Sequence, residues 1–132
     1  MSAPLGLLDT SFFIARETGR AYREELLPEQ GVISTITLGE LHTALHTAPT
    51  PEALVRRIAT FETATAFQAL PVTSATARHW GRLRAAARTI GQARVNDLWI
   101  AATALEHGIS VVTQDRAFRA LEALGGPPVI EI

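Results

Sequence analysis

Aspartate is rare in this chain of 132 residues, and each of its three aspartates marks a change in the sequence pattern. Asp9 and Asp115 each follow a short apolar run typical of a buried strand, and Asp97 opens a long amphipathic segment. Glu40 lies near the start of another helical segment. In an α/β fold, strand ends and helix starts meet along one edge of the sheet. We therefore expect these four carboxylates in one crevice, where their mutual repulsion would favour a hard divalent cation.

Helix capping is the alternative explanation for each of these acids. Asp and Glu are favoured at helix starts because they accept backbone hydrogen bonds and interact well with the helix dipole. However, Thr37 can act as the N-cap of a capping box with Glu40, and Asn96 can act as the N-cap before Asp97. The acids are therefore not all needed as helix caps. Carboxylates that lie close together repel one another, and a bound metal ion would offset this repulsion. Oxygen ligands also leave Mg²⁺ or Mn²⁺ with open positions for water and a substrate phosphate.

Strand-like and helix-like patterns alternate along the whole chain. Strands are predicted at 5–8, 32–36, 67–72, 109–112 and 128–132. Helices are predicted around 12–14 and at 37–48, 52–66, 74–90, 96–107 and 117–124, with Gly108 ending the helix that carries Asp97. This alternation predicts a single α/β domain over residues 1–132, with a mostly parallel sheet and helices on both faces.

Composition excludes several classes of function. The chain has no cysteine, so it has no disulfide, thiolate zinc site or cysteine nucleophile. All 12 basic residues are arginine, which excludes a catalytic lysine and with it a response-regulator receiver. A haloacid-dehalogenase-type phosphatase needs a second aspartate where Ser11 stands. No apolar run is long enough to span a bilayer and no secretory signal is evident, so a cytoplasmic protein without membrane partners is expected.

Four stretches of the chain, in this order and spacing, resemble the PIN-domain ribonucleases, and most closely the VapC-type toxins of toxin–antitoxin pairs. They are LLDTSFFIA, ITLGEL, NDLWIAATALEHG and VVTQDRAF. The resemblance implies a PIN-like three-layer sandwich and Mg²⁺- or Mn²⁺-dependent cleavage of RNA that leaves 5′-phosphate and 3′-hydroxyl ends. It also implies that the catalytic metal ligands are Asp9, Glu40, Asp97 and Asp115. The alternative role for Asp115 is to cap the helix that follows it.

The same resemblance implies further residues and partners. Ser11 and Thr113, together with Asn96, would orient an acid or a water molecule. The expected partners are a cognate VapB-type antitoxin, an RNA substrate and a second copy of the chain in a homodimer. The alternative is a PIN-like module that binds RNA or protein without cutting it.

Four arginines are candidates for binding RNA phosphates. Arg82 and Arg88 lie on a predicted helix face that could instead be merely solvated, and Arg94 and Arg116 stand beside acids that they could simply neutralise. His42 and His46 have zinc-ligand spacing but lack the glutamate of the HExxH motif, so we expect an exposed helix face. Trp80 is expected in the core, and Trp99 is expected to pack rather than to stack on bases.

Overall fold

The computed structural model describes residues 4–89 and 94–132, and within these residues five strands form one sheet. The strands are β1 (Leu5–Leu8), β2 (Gln30–Ser34), β3 (Gln68–Leu70), β4 (Ser110–Thr113) and β5 (Val129–Glu131). The helices are α1 (Thr10–Thr18), α2 (Thr35–His46), α3 (Pro51–Thr65), α4 (Ser74–Ala87), α5 (Val95–His107) and α6 (Ala117–Ala123). None of the helices in this part of the chain is long and apolar enough to cross a membrane.

Every neighbouring pair of strands is parallel, in the order β3-β2-β1-β4-β5. The central strand is β1, where Leu7 is paired with Val32 on one side and Val111 on the other. The chain leaves β1 toward β2, and later returns to the opposite side of β1 as β4. Such a reversal opens a crevice beyond the carboxyl ends of the two strands concerned, here β1 and β4.

The two faces of the sheet bury separate cores, because consecutive strand residues point to opposite sides. Leu7, Val32 and Val111 pack with residues of α4, α5 and α6, among them Leu83, Ile100 and Phe118. Leu8, Ile33 and Val112 pack with residues of α1, α2 and α3, among them Phe13, Leu41 and Ala64. The predicted α/β architecture, a parallel sheet between two helical layers, is therefore confirmed.

The prediction for the start of α2 is wrong. The strand ends at Ser34, whose hydroxyl accepts a hydrogen bond from the Ile36 backbone N–H at 3.1 Å and so serves as the N-cap. Thr37 is instead a buried residue of the first helical turn, and Glu40 makes no capping box with it. A serine three residues earlier provides the same hydroxyl cap, which lets the helix begin sooner.

The ends of α5 differ in how well the sequence predicted them. The helix begins at Val95, so Asn96 lies inside it and is not the N-cap, and no side chain caps this end. At the other end Gly108 adopts the left-handed conformation (φ 64°) that the sequence predicted for it. In α4, the helical spacing of Trp80, Leu83, Ala87 and Ile90 predicts one apolar stripe. Leu83 and Ala87 are buried, Trp80 is partly buried, and Ile90 lies outside the described residues.

Candidate active site

The candidate site lies beyond the carboxyl ends of β1 and β4, where the crevice opens. Asp9 directly follows β1, and Asp115 lies two residues after β4. Asp97 lies in the first turn of α5, and Glu40 lies midway along α2. Two strand ends and two helices thus bring the four predicted acids to one edge of the sheet.

Asp9 is buried and fixed by hydroxyl groups. It is only 3% exposed, and it is itself the N-cap of α1, since its Oδ1 accepts the Thr10 N–H at 2.7 Å. Its Oδ2 accepts hydrogen bonds from the hydroxyls of Ser11 at 2.8 Å and Thr113 at 2.7 Å. Burial raises the pKa of Asp9, although these hydrogen bonds act in the opposite direction. The hydrogen bonds fix the orientation of the Asp9 carboxylate. Because it is buried, a nearby cation would stabilise its charged form.

The segment after β4 is fastened to the same hydroxyls. The backbone N–H of Gln114 donates to Ser11 Oγ at 2.9 Å, and that of Asp115 donates to Thr113 Oγ1 at 2.8 Å. Asp115 Oδ1 also accepts the Ala117 N–H at 2.9 Å, so this acid does help to cap α6, the alternative role that the sequence suggested for it. Ser11 and Thr113 therefore link the positions of Asp9 and Asp115.

Glu40 is held between α1 and α5. The Thr10 hydroxyl donates to Glu40 Oε1 at 2.6 Å and lies 3.1 Å from the Thr37 hydroxyl. Asn96 Nδ2 donates to Glu40 Oε2 across a longer 3.4 Å. Neither contact of Glu40 is predicted from the sequence, whose pattern indicates Thr37 and Asn96 only as helix caps and could give Thr10 the same role. The available signal was the presence of hydroxyl residues near each acid in Asp9-Thr10-Ser11 and Thr37-Leu-Gly-Glu40.

Asp97 is buried beside a single cation, Arg94. Arg94 Nε lies 3.0 Å from Asp97 Oδ2, and Arg94 Nη2 donates to Asp115 Oδ2. The contact with Asp97 is close enough for an ion pair but lacks hydrogen-bond geometry, so this buried oxygen has no hydrogen-bond partner. The pKa of Asp97 is raised to about 6, chiefly by burial. Repulsion from Asp9, Asp115 and Glu40 adds to the rise, and Arg94 opposes it.

The four carboxylates supply the oxygen ligands that a hard divalent cation prefers, but they are not arranged as the ligands of a single ion. Within residues 4–89 and 94–132, no three His, Cys, Asp or Glu side chains stand close enough together to hold a metal ion. Arg94 joins Asp97 to Asp115, and Glu40 is drawn to Thr10 and Asn96. The oxygen-only donor set fits Mg²⁺ or Mn²⁺, and the buried Asp97 Oδ2, which makes an ion pair with Arg94 but no hydrogen bond of good geometry, is a candidate ligand atom. Asp97 and Asp115 would be among the residues that hold such an ion, and Arg94 would compete with it for these two carboxylates.

The other predicted RNA contacts differ in position. Arg116 is exposed next to Asp115. Arg82 and Arg88 are exposed on and at the end of α4, and Arg82 Nη2 lies 3.1 Å from His79 Nδ1. None of the contacts that the structure describes joins Arg82 or Arg88 to the four acids.

The histidine and tryptophan pairs match the predictions made for them. His42 and His46 are exposed on α2, with ring centroids 4.8 Å apart. Trp80 is half-buried against the core and stacks on Trp99 at a centroid distance of 4.8 Å. Both indoles therefore pack between α4 and α5, as expected for structural residues.

Comparison with known proteins identifies the family. The sequence profile of the PIN domain matches residues 6–124. Ribonuclease VapC5 of Mycobacterium tuberculosis is 40% identical over 128 residues, which cover 96% of this chain and 95% of that protein. Ribonuclease VapC4 of the same organism is 37% identical over 125 residues, covering 92% and 94%.

Solved structures give the same result. VapBC-5 of M. tuberculosis, described as a member of the VapBC family of toxin–antitoxin systems, contains a chain with 37% identity and a TM-score of 0.88. That match covers 98% of this chain and 99% of the other. A chain of FitAcB from Neisseria gonorrhoeae matches with 26% identity and a TM-score of 0.71, covering 99% and 97%. The chain therefore belongs to the PIN domain family.

Proposed function

We propose that this protein is a divalent-metal-dependent endoribonuclease that acts as the toxin of a toxin–antitoxin pair. The observation that carries the proposal is the buried Asp97 carboxylate, which is paired with Arg94 in a crevice where three other carboxylates raise its pKa. Relatives with 40% and 37% identity over nearly the whole chain are named ribonucleases, which supports hydrolysis of RNA as the reaction.

Asp9 and Asp97 would hold the Mg²⁺ or Mn²⁺ ion, with Glu40 and Asp115 as ligands either directly or through water. When bound, such an ion polarises a phosphoryl group and lowers the pKa of an attacking water. The rest of the work belongs to the chain itself. Ser11 and Thr113 keep the Asp9 carboxylate oriented through their two hydrogen bonds, and Thr10 together with Asn96 restrains Glu40.

Arg94 would serve this site in two states. In the structure it neutralises Asp97 and Asp115. A guanidinium released from those carboxylates is suited to bidentate contact with a phosphate of the substrate. Arg94 would therefore exchange carboxylate partners for a phosphate partner as the site becomes occupied.

A VapB-type antitoxin and a second copy of the chain are the proposed protein partners, in the cytoplasm. Support for the antitoxin comes from solved relatives described as VapBC or toxin–antitoxin assemblies. The pairing of Arg94 with Asp97 and Asp115 also demonstrates that these carboxylates accept a guanidinium. An arginine in a basic C-terminal segment of an antitoxin could occupy the crevice in the same way.

A homodimer would have twice the 14.2 kDa mass of the chain, which sedimentation equilibrium measures directly.

The test is cleavage of end-labelled total RNA by purified, antitoxin-free protein with Mg²⁺, Mn²⁺ or EDTA, beside the Asp97→Asn variant. We expect discrete fragments that require metal and disappear in the variant. A single-stranded DNA pool is treated in parallel. If the protein cuts DNA but not RNA, the proposed activity is wrong and the protein is a deoxyribonuclease. If the folded protein binds RNA without cutting it, the result favours the non-catalytic binding module.

A further inference from the structure

Two arginines near the candidate site have no partner among the residues that the structure describes. Several of the other arginines are engaged: Arg94 with two aspartates, Arg119 with Glu122 and Glu131, and Arg57 with the Ala44 carbonyl. Arg20 and Arg116 are exposed, and neither guanidinium makes a hydrogen bond or ion pair within the described ranges. Unpaired guanidinium groups that face a common space are available to an anionic ligand.

Arg20 and Arg116 line the same cleft. It has a volume of about 350 Å³ and is also lined by Ser11, Ile14, Gln114 and Asp115. Two of these residues belong to the candidate site as well, since Ser11 donates to Asp9 and Asp115 accepts from Arg94. The cleft is therefore continuous with the acidic crevice. The cavity between α1 and α3, which Arg16 and Arg56 line, includes none of the four acids.

The chemistry of the cleft fits a nucleotide with a charged and an apolar part. Among the described residues that line the cleft, Asp115 is the only acid. Arg94 already pairs with that carboxylate, so the positive charges of Arg20 and Arg116 are in excess there. Ile14 is 46% exposed and offers an apolar surface in the same cleft. Gln114 forms part of the wall, and its Nε2 donates to the Ala21 carbonyl at 2.9 Å.

We propose that this cleft binds the nucleotide next to the scissile phosphate of a single-stranded RNA, with Arg20 and Arg116 on its backbone phosphate and Ile14 against its base or ribose. The proposal rests on the proposed function, which places the scissile phosphate at the acids. A single strand is required because a base can reach Ile14 only when it is free of a duplex stack. This assigns to Arg20 a role that its distance from the acids in the sequence did not suggest.

The test measures RNA binding separately from cleavage. A fluorescein-labelled, mixed-sequence single-stranded RNA of ten nucleotides is titrated in EDTA with the wild type, with Arg20→Ala/Arg116→Ala and with Arg56→Ala/Arg84→Ala. The third protein is a matched control, because it loses the same charge from two exposed arginines outside the cleft. Fluorescence anisotropy at several salt concentrations gives Kd and its salt dependence, and thermal unfolding verifies that each variant folds.

We expect the cleft variant to bind roughly tenfold more weakly, with a salt slope reduced by about 1.4 for the loss of two phosphate contacts. The control should keep most of its affinity and its slope. Ile14→Ala should weaken binding without changing the slope, since it removes no charge. Equal losses in the two double variants, or none in the cleft variant, would overturn the proposal.

Cleavage with Mn²⁺, measured on the same preparations, separates the two proposals. If the wild type cuts RNA while the cleft variant binds as well as the wild type does, the cleft assignment fails and the ribonuclease stands. If the wild type binds through the cleft but never cuts, the ribonuclease fails and the RNA subsite stands.

Discussion

At the scale of single residues, the site is a set of carboxylates whose charges are only partly balanced. Asp97 shows this most clearly, since burial and three neighbouring acids oppose its ionisation and Arg94 alone supports it. A group whose pKa is raised in the folded state adds stability while it is protonated and loses that contribution as it ionises. The metal-free protein therefore carries a pH-dependent cost at this position, and a bound cation would remove it.

The Asp97→Asn variant should reveal that cost. The folded-state pKa of about 6 lies above the ordinary aspartate pKa of 3.8, so the contribution of Asp97 to stability is fully present below pH 3.8 and is lost as pH rises through 6. In EDTA we expect the variant to match the wild type below pH 3.8 and to exceed its free energy of unfolding by up to about 3 kcal/mol above pH 6. Urea unfolding across this range measures the difference.

A matched exchange elsewhere keeps that result interpretable. Glu52→Gln makes the same carboxylate-to-amide change at an exposed position of α3 and should leave the wild-type profile unchanged. If Asp97→Asn showed a stability difference that did not vary with pH, ionisation of Asp97 would not be its cause.

Arg94 should compete with a cation for its two aspartates. Because its guanidinium joins Asp97 to Asp115, Arg94→Gln should raise the affinity for Mn²⁺, by about tenfold if one charge-assisted contact is lost. Isothermal titration calorimetry of Mn²⁺ binding measures this without any cleavage. Arg84→Gln removes an equal charge from α4 and should bind Mn²⁺ as the wild type does. Weaker Mn²⁺ binding by Arg94→Gln would contradict the competition.

At the scale of secondary-structure elements, the ends of β1 and β4 are joined through side chains as well as through the sheet. Thr113, the last residue of β4, donates to Asp9 after β1 and accepts from the backbone of Asp115. Ser11 makes the corresponding link to Gln114 from α1. The crevice thus keeps its shape through hydrogen bonds between elements far apart in the chain.

Replacing Thr113 with valine preserves its volume and removes the hydroxyl that contacts Asp9, the Asp115 backbone N–H and the Ser11 hydroxyl. We expect a loss of about 1–3 kcal/mol in unfolding free energy, because the Asp115 N–H loses its partner, and a marked fall in RNA cleavage, because Asp9 loses its orientation. Thr103→Val is the control: this fully buried threonine of α5 donates only to the Trp99 carbonyl of its own helix. Cleavage should survive in Thr103→Val, and equal activity in the two variants would refute the orienting role.

At the scale of the whole molecule, one sheet separates two cores that share no helix among their buried residues. Ile33 lies in the core beneath α1 and α3, and Ile100 lies in the core beneath α4 and α6. Both side chains are fully buried. Because both cores pack against the same sheet, we expect the domain to unfold in a single transition, although the two side chains lie on opposite faces.

Conservative changes in the two cores should add. Ile33→Val and Ile100→Val should each cost about 0.5–1.5 kcal/mol, and the double variant should lose the sum of the two within about 0.5 kcal/mol. Urea unfolding followed by circular dichroism and by tryptophan fluorescence measures both the sum and the cooperativity. Separate midpoints for the two probes would show that the layers unfold independently.

The sequence by itself determined the features that depend on neighbours along the chain. The alternation of strand-like apolar runs with helical spacing predicted the parallel sheet between helices, and Gly108 predicted the end of α5. The acids that follow β1 and β4 predicted the edge of the sheet at which the candidate site lies. The acids could be found from sequence because strand ends in such a sheet share one edge. Their roles as metal ligands stay predictions.

Only the tertiary structure decided which partners those acids have. Ser34 rather than Thr37 caps α2, which leaves Thr37 facing Thr10 and gives Glu40 the Thr10 hydroxyl. Arg94 bridges two aspartates that belong to different elements. Arg20 joins Arg116 in a cleft although the two residues lie far apart in the sequence. These contacts depend on how helices are set against the sheet, and that is fixed by packing across the two cores rather than by local sequence pattern.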